Sequence, residues 1–191
     1  MPIDVDETQR LQEIAAATVR VAEESGPRSV TIRAVAKELG GSTAVITNYL
    51  PSRAALMFNA FQVNQQLWQD DLEQHVRGLT GIPRLRALVE WHCTSTGDDD
   101  VLRRLWVEML ATVQTLPADL TASAHAQARD AYATIAGAMA DAGVTDTVAA
   151  DVLFLIIRGF FVATIEDPAS WPPERAAAAA LRALELLLTA R

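Results

Sequence analysis

Cysteine is almost missing from this chain of 191 residues. Cys93 stands alone, which excludes an intramolecular disulfide framework and a cysteine-rich zinc site. Aromatic residues are few, at 6%. No stretch alternates β-branched with polar residues as a half-buried strand would. The opening MPIDVDETQR is acidic and lacks the apolar centre of a signal peptide. The longest apolar run, Val152 to Ile165, is interrupted by Arg158-Gly159 and reads as too short to cross a bilayer. These absences point to an all-α, cytoplasmic chain with no membrane partner.

Catalytic signatures are missing as well. No H-E-x-x-H, G-x-S-x-G or phosphate-loop pattern occurs. The three histidines are His75, His92 and His125. His92 and Cys93 are adjacent, so on a helix they diverge by about 100° and are poorly placed to chelate one ion. Asp98-Asp99-Asp100 lack the spaced oxygen ligands of a calcium loop and read as a solvated helix start, where acids suit the positive end of the helix dipole. No catalytic residue, metal or cofactor is expected, and the chain reads as a non-enzyme.

Half of the residues are hydrophobic, and the length allows one or two small helical domains with a substantial core. Net charge is −8, which opposes binding to nucleic acid until its distribution is considered. Residues 26–61 hold Arg28, Arg33, Lys37 and Arg53 against the single acid Glu38. The segments on both sides are acidic. The positive balance is therefore local, and an acidic remainder lowers non-specific affinity for DNA.

The positive segment contains a helix–turn–helix pattern. Thr31 is placed to cap a helix by accepting from the Ala34 amide. Val30 and Val35 occupy the positions of a hydrophobic staple. Ile32, Val35, Ala36 and Leu39 recur at helical spacing and predict one buried stripe. Gly40-Gly41 stops that helix, Ser42 caps the next, and Pro51 ends it. In the second helix Val45, Ile46, Tyr49 and Leu50 share one side. Thr43, Ala44, Thr47 and Asn48 share the other, which is small, polar and free of acids. Such a face suits a helix that enters a major groove and reaches base edges. A surface helix hairpin in any all-α protein has the same periodicity, so the pattern by itself leaves both readings open.

The residue detail is more specific. Thr31 with Val35-Ala36, the Gly40-Gly41-Ser42 turn, and Ile46-Thr47-Asn48-Tyr49-Leu50-Pro51-Ser52-Arg53 followed by Ala55-Leu56 closely resemble the DNA-binding domain of the TetR family of transcriptional regulators. Three positions depart from that family's pattern. Thr47 stands where a phosphate-contacting tyrosine is frequent, Leu50 replaces a phenylalanine, and Arg53 replaces a lysine. The resemblance implies DNA contact by Thr31, Arg33, Ser42, Thr43, Ala44, Thr47, Asn48, Tyr49 and Arg53, with Arg53 on a backbone phosphate. It implies a three-helix DNA-binding domain over residues 1–55 and a helical effector-binding and dimerisation domain over 56–191. It also implies a repressor that a small-molecule effector releases from its operator. The alternative is a helical ligand-binding protein that no longer reads a DNA sequence.

The remaining chain reads as helices. Residues 1–8 are expected to be a disordered arm, and Arg10 to Glu24 a helix with Leu11, Ile14, Ala15, Thr18, Val21 and Ala22 on one face. A long helix from about Ser52 to Val76 connects the two domains without a flexible spacer. Further helices are expected at Pro83–Thr94, Val101–Thr115, Leu120–Ala142, Asp146–Glu166 and Pro173–Ala190. The last two suit either a subunit interface or a buried helix in a monomeric core, since Val152 to Ile165 is apolar nearly all round and needs two covers. The resemblance makes this a homodimer on a near-palindromic operator. It also places Trp91, His92, Trp106, Met109, Phe154, Arg158 and Phe161 on helices around an effector cavity. A cation among apolar residues is costly unless paired. Arg158 therefore either meets a ligand, pairs with an acid such as Glu108, or extends its charged end to water.

Overall fold

The structure is a computed structural model that describes residues 7–94, 97–111 and 116–189, with side chains of 97–99 outside that description. Among the described residues there are nine α-helices and no strand. They are α1 (Glu7–Ser25), α2 (Ile32–Glu38), α3 (Thr43–Thr47), α4 (Arg53–His75), α5 (Gly81–Cys93), α6 (Gly97–Leu110), α7 (Ala118–Asp141), α8 (Thr147–Glu166) and α9 (Pro173–Thr189). A 3-10 turn at Pro27–Ser29 joins α1 to α2. The all-α expectation holds.

The chain divides into two compact units, residues 1–68 with 97–122 and residues 69–96 with 123–191. This division does not follow a cut between 55 and 56. More of α4 belongs with the N-terminal helices, and so does α6, which packs on α1 and on the 3-10 turn.

In the first unit, α1 buries Ile14, Ala15, Ala17, Thr18, Val21 and Ala22. That is the expected stripe, with Ala17 added and Leu11 only half-buried. The α1 helix begins earlier than Arg10, so Glu7 and Thr8 of the expected disordered arm are helical, and residues 1–6 lie outside the described residues. Thr18 Oγ1 donates to the Ile14 carbonyl at 2.8 Å, which lets a hydroxyl sit in the core. Asn59 of α4 donates to the Leu11 carbonyl at 2.9 Å and joins α4 to α1.

The α2–α3 corner forms as its residues dictate. The Ala34 amide donates to Thr31 Oγ1 at 3.1 Å. Gly40 takes φ 67°. Its amide donates to the Lys37 carbonyl at 3.0 Å, and the Gly41 amide to the Ala36 carbonyl at 2.9 Å. This pair is a Schellman motif, which satisfies two carbonyls that the helix end would leave unpaired. Ser42 has the backbone of an N-cap but makes no capping side-chain bond. The α3 helix is shorter than expected and ends at Thr47, although Asn48 keeps a helical backbone. At the next corner Ser52 does cap, accepting from the Ala55 amide at 3.1 Å.

In the second unit, α5 packs on α8 and α9, and α8 on α9. Leu85, Leu88, Val89, Met139, Leu153, Ile157 and Leu184 form the centre of one apolar cluster with Cys93. Arg86 and Glu185 pair at 3.4 Å across α5 and α9. Asp146 caps α8 by accepting from the Val148 amide at 2.9 Å.

Two expectations about helix length change. The α6 helix starts at Gly97, so the aspartates fall inside its first turn rather than before it. Asp100 pairs with Arg104 at 2.6 Å. The expected end of α6, including Val113, lies outside the described residues, as do the side chains of Asp98 and Asp99. The α8 helix has 20 residues and is long and apolar enough, by length and composition, to cross a membrane. The apolar stretch is therefore not too short to span, because it extends back to Thr147. Here its Ala149, Ala150, Leu153, Ile157 and Phe160 lie in the apolar cluster of the second unit.

The αL backbone at Gly40 is what a side chain would disturb, since a Cβ there meets open space. Gly40→Ala is expected to lower unfolding free energy by about 1–2 kcal/mol, and Gly40→Asn by less, measured by urea denaturation.

Candidate nucleic-acid interface

The outward face of the corner collects the residues expected to touch DNA. Thr31, Arg33, Ser42, Thr43, Ala44, Thr47 and Asn48 are exposed, while Ile46 is buried and Tyr49 half-buried. Thr31 already uses an oxygen lone pair as a cap but keeps its O–H to donate. Thr47 Oγ1 makes only a 3.5 Å approach to the Ala44 carbonyl. Glu38 is bound by Arg20 of α1 at 2.6 Å. The acid of this segment is thus paired from outside it, and Arg28, Arg33 and Lys37 of the same segment are exposed.

Arg53 differs from its companions. Its Nε–H donates to the Val30 carbonyl at 2.9 Å. Its Nη2 donates to the Pro27 carbonyl at 3.0 Å and to Glu108 Oε1 at 3.2 Å. The guanidinium faces acceptors of its own unit where a phosphate was expected. Glu108, considered from sequence as a partner for Arg158, is held by Arg53 instead. Backbone carbonyls as acceptors leave no trace in residue type, so sequence reading had no signal for this arrangement.

The seven residues expected around an effector do not all fall in one unit. Trp106 and Met109 are on α6 in the first, and Trp91, His92, Phe154, Arg158 and Phe161 are in the second. Within the second unit several are neighbours. The Trp91 and His92 rings meet edge to face at 5.1 Å, and Trp91 Nε1–H donates to Asp71 at 2.6 Å. The Arg158 guanidinium lies 5.0 Å from the Phe154 ring centre, a cation–π contact. Phe154 meets Tyr132 edge to face at 5.5 Å, and the Tyr132 hydroxyl donates to Asp151 at 2.8 Å. That bond pushes the tyrosine pKa up. Tyr132 and Asp151 were not singled out from sequence, because neither breaks the pattern of its helix. Phe161 packs against Phe160 at 5.8 Å. A cleft of about 260 Å³ lies between α7 and the start of α8, walled by Tyr132, Ala136, Ala140, Val144 and Ala150.

Burial, and then the positive charge of Arg158, push the His92 imidazole down to about 4 from 6.5. Burial also lowers Arg158. His92 is therefore neutral at ordinary pH, with one ring nitrogen able to accept. Because its folded pKa is below the unfolded one, the unfolded chain takes the proton first as pH falls. The stability associated with neutral His92 is present in full above about pH 6.5 and is lost as pH drops towards 4. His92→Gln should remove this component. The difference in unfolding free energy between wild type and variant is then flat above pH 6.5 and changes between 6.5 and 4, measured by urea denaturation at each pH.

No protein-family model matches the chain, and no curated protein matches its sequence. Solved structures do match in shape. A transcriptional regulator from Rhodococcus sp. Rha1 superposes with a TM-score of 0.79 at 19% identity, covering 94% of this chain and 96% of its own. A TetR transcription regulator from Haloarcula marismortui gives 0.77 at 21% identity, covering 94% and 98%. A protein from Saccharomonospora viridis, described as a transcriptional regulator and solved with choline, gives 0.73 at 21% identity, covering 93% and 96%. At these identities the likeness speaks for the architecture: over nearly its whole length, the chain has the fold of the TetR-family transcriptional regulators.

Proposed function

We propose that this chain is a DNA-binding transcriptional regulator that works in the cytoplasm as a homodimer, represses from its operator, and is released by a small-molecule effector. One observation carries the reading. The acid-free polar face of Thr43, Ala44, Thr47 and Asn48 stands exposed on a helix held at both ends, beside Arg33 and Lys37. Uncharged donors and acceptors read base edges, and the neighbouring cations meet the backbone. Ser42, Thr31 and Tyr49 flank this face and are assigned to the same contact. In functional terms residues 1–55 read DNA and residues 56–191 bind effector and partner.

The α8 surface supports a dimer through the last two helices. Val148, Val152, Leu155 and Val162 recur at spacings of four, three and seven along α8, and Leu155 is 65% exposed. The opposite face of α8 is buried. A helix with apolar residues on both faces needs a second cover. Leu186 on α9, 55% exposed, adds to the same requirement. For the effector, support comes from the second unit, where Arg158 and neutral His92 give two polar groups among aromatic rings. Such a pairing suits an apolar molecule that bears an anion or a carbonyl. The choline held by the Saccharomonospora viridis protein supports small-molecule binding by this fold, though not the identity of the ligand.

Selection of genomic fragments with the purified protein tests the reading. It should return a near-palindrome with half-sites one helical turn apart, and recovery of no consensus would favour a ligand-binding protein without DNA reading. Asn48→Ala should cost roughly 1–3 kcal/mol of specific affinity and relax the preference at one base position, measured by repeating the selection. Leu155→Glu should convert the dimer to a monomer in light scattering, with helix content retained.

A further inference from the structure

We infer that Arg53 is a positioning residue of the DNA-reading hairpin, tying its two ends together, and that Glu108 on α6 holds Arg53 in that role. The inference rests on the DNA-reading function proposed above. Its geometry is local to the first unit. The Val30 carbonyl immediately precedes the cap Thr31, and the Pro27 carbonyl opens the 3-10 turn. Both acceptors therefore come before the hairpin. Arg53, which opens α4, comes directly after it. One guanidinium thus joins the start and the end of the segment 31–52 that carries α3, with bonds of 2.9 and 3.0 Å.

Joining two ends of a loop removes conformational freedom from all the residues between them. That freedom matters here because α3 has only five residues, too few to hold a helix without outside contacts. The third bond, 3.2 Å to Glu108, supplies the counter-charge and orients the planar group. Arginine suits this arrangement because its donors are fixed in a fork, so Nε and Nη2 reach separate acceptors at once. Lysine keeps the charge but is a single point on a flexible stem. The carboxylate comes from α6, and α6 packs on the 3-10 turn whose carbonyl Arg53 also holds. Where α6 stands therefore affects how firmly the hairpin is closed.

A phosphate-contact role and a positioning role give opposite results for Arg53→Lys. A phosphate contact survives the change, since the charge survives. A positioning role does not. Two measurements on the full-length protein decide it: amide hydrogen exchange of peptides within 31–50, and the ratio of specific to non-specific duplex affinity at several salt concentrations. For Arg53→Lys, exchange within 31–50 should rise roughly tenfold, with peptides of α5, α8 and α9 unchanged. The affinity ratio should fall about tenfold while the salt slope stays at the wild-type value. Glu108→Ala is the second variant, and it leaves both carbonyl bonds in place. The pair is about one-third exposed on each side and contributes little to global stability, so this variant stays folded. Removing an acid near DNA would tighten binding by charge alone. A fall in the affinity ratio with faster exchange within 31–50 identifies positioning. Wild-type exchange in Arg53→Lys overturns the tie, and a salt slope reduced by about one per subunit in Arg53→Ala then assigns Arg53 to a phosphate. Wild-type exchange in Glu108→Ala overturns the part given to α6. If the wild-type protein selects no duplex, the DNA-reading proposal fails, and the exchange measurement alone still decides the tie.

Discussion

A helix of five residues cannot keep itself folded or aimed, because nucleation costs more than so few hydrogen bonds return. Everything around α3 answers that constraint. Ile46 is fully buried beneath it. The Schellman turn at Gly40-Gly41 fixes its approach, and the Ser52 cap fixes its exit. Arg53 then connects the corner before α2 to the start of α4. None of these interactions is large. Together they leave the short helix few alternatives, as the proposed reading of base edges requires, since a displacement of about 1 Å loses a hydrogen bond.

Charge is handled by similar local means. The chain is strongly acidic, yet the acid nearest the polar face is taken by Arg20 from α1. The acid beside Arg53 is taken by Arg53 itself. Arg28, Arg33 and Lys37 are exposed in the same segment, and exposed charges act over one Debye length, roughly 8–10 Å at ordinary salt. On the proposed function, such a surface relies on a few cations near the groove rather than on overall attraction, which favours discrimination over raw affinity.

The second unit meets a different requirement, a surplus of apolar surface. One face of α8 completes the core with α5 and α9, and Val148, Val152, Leu155 and Val162 remain on the surface. Arg158 sits among aromatic rings, with its charge spread over the Phe154 face. The same guanidinium helps to keep His92 neutral. Removing a cation from water is costly, and for the half-buried Arg158 the contact with the Phe154 ring offsets part of that cost. The arrangement leaves the region chemically specific rather than simply greasy.

What the sequence by itself determined is the local and periodic part. Thr31 as a cap, the glycine stop, the α1 stripe from Ile14 to Ala22 and the two-sided α3 all follow from spacing and backbone preference within a few residues. The all-α architecture follows from the same signals repeated along the chain. Only the tertiary structure decided which distant groups meet. It placed α6, which carries Trp106 and Met109, in the unit of the N-terminal helices and Trp91, His92 and Arg158 in the other. It gave Glu108 to Arg53 and aimed Arg53 at two backbone carbonyls. It also moved the start of α6 back to Gly97 and the end of α3 to Thr47, where propensity alone is indifferent. The physical reason is common to these cases. A hydrogen bond or ion pair between residues 23 or 55 positions apart depends on how whole helices pack, and carbonyl acceptors are the same in every residue, so spacing and side-chain type carry no record of them.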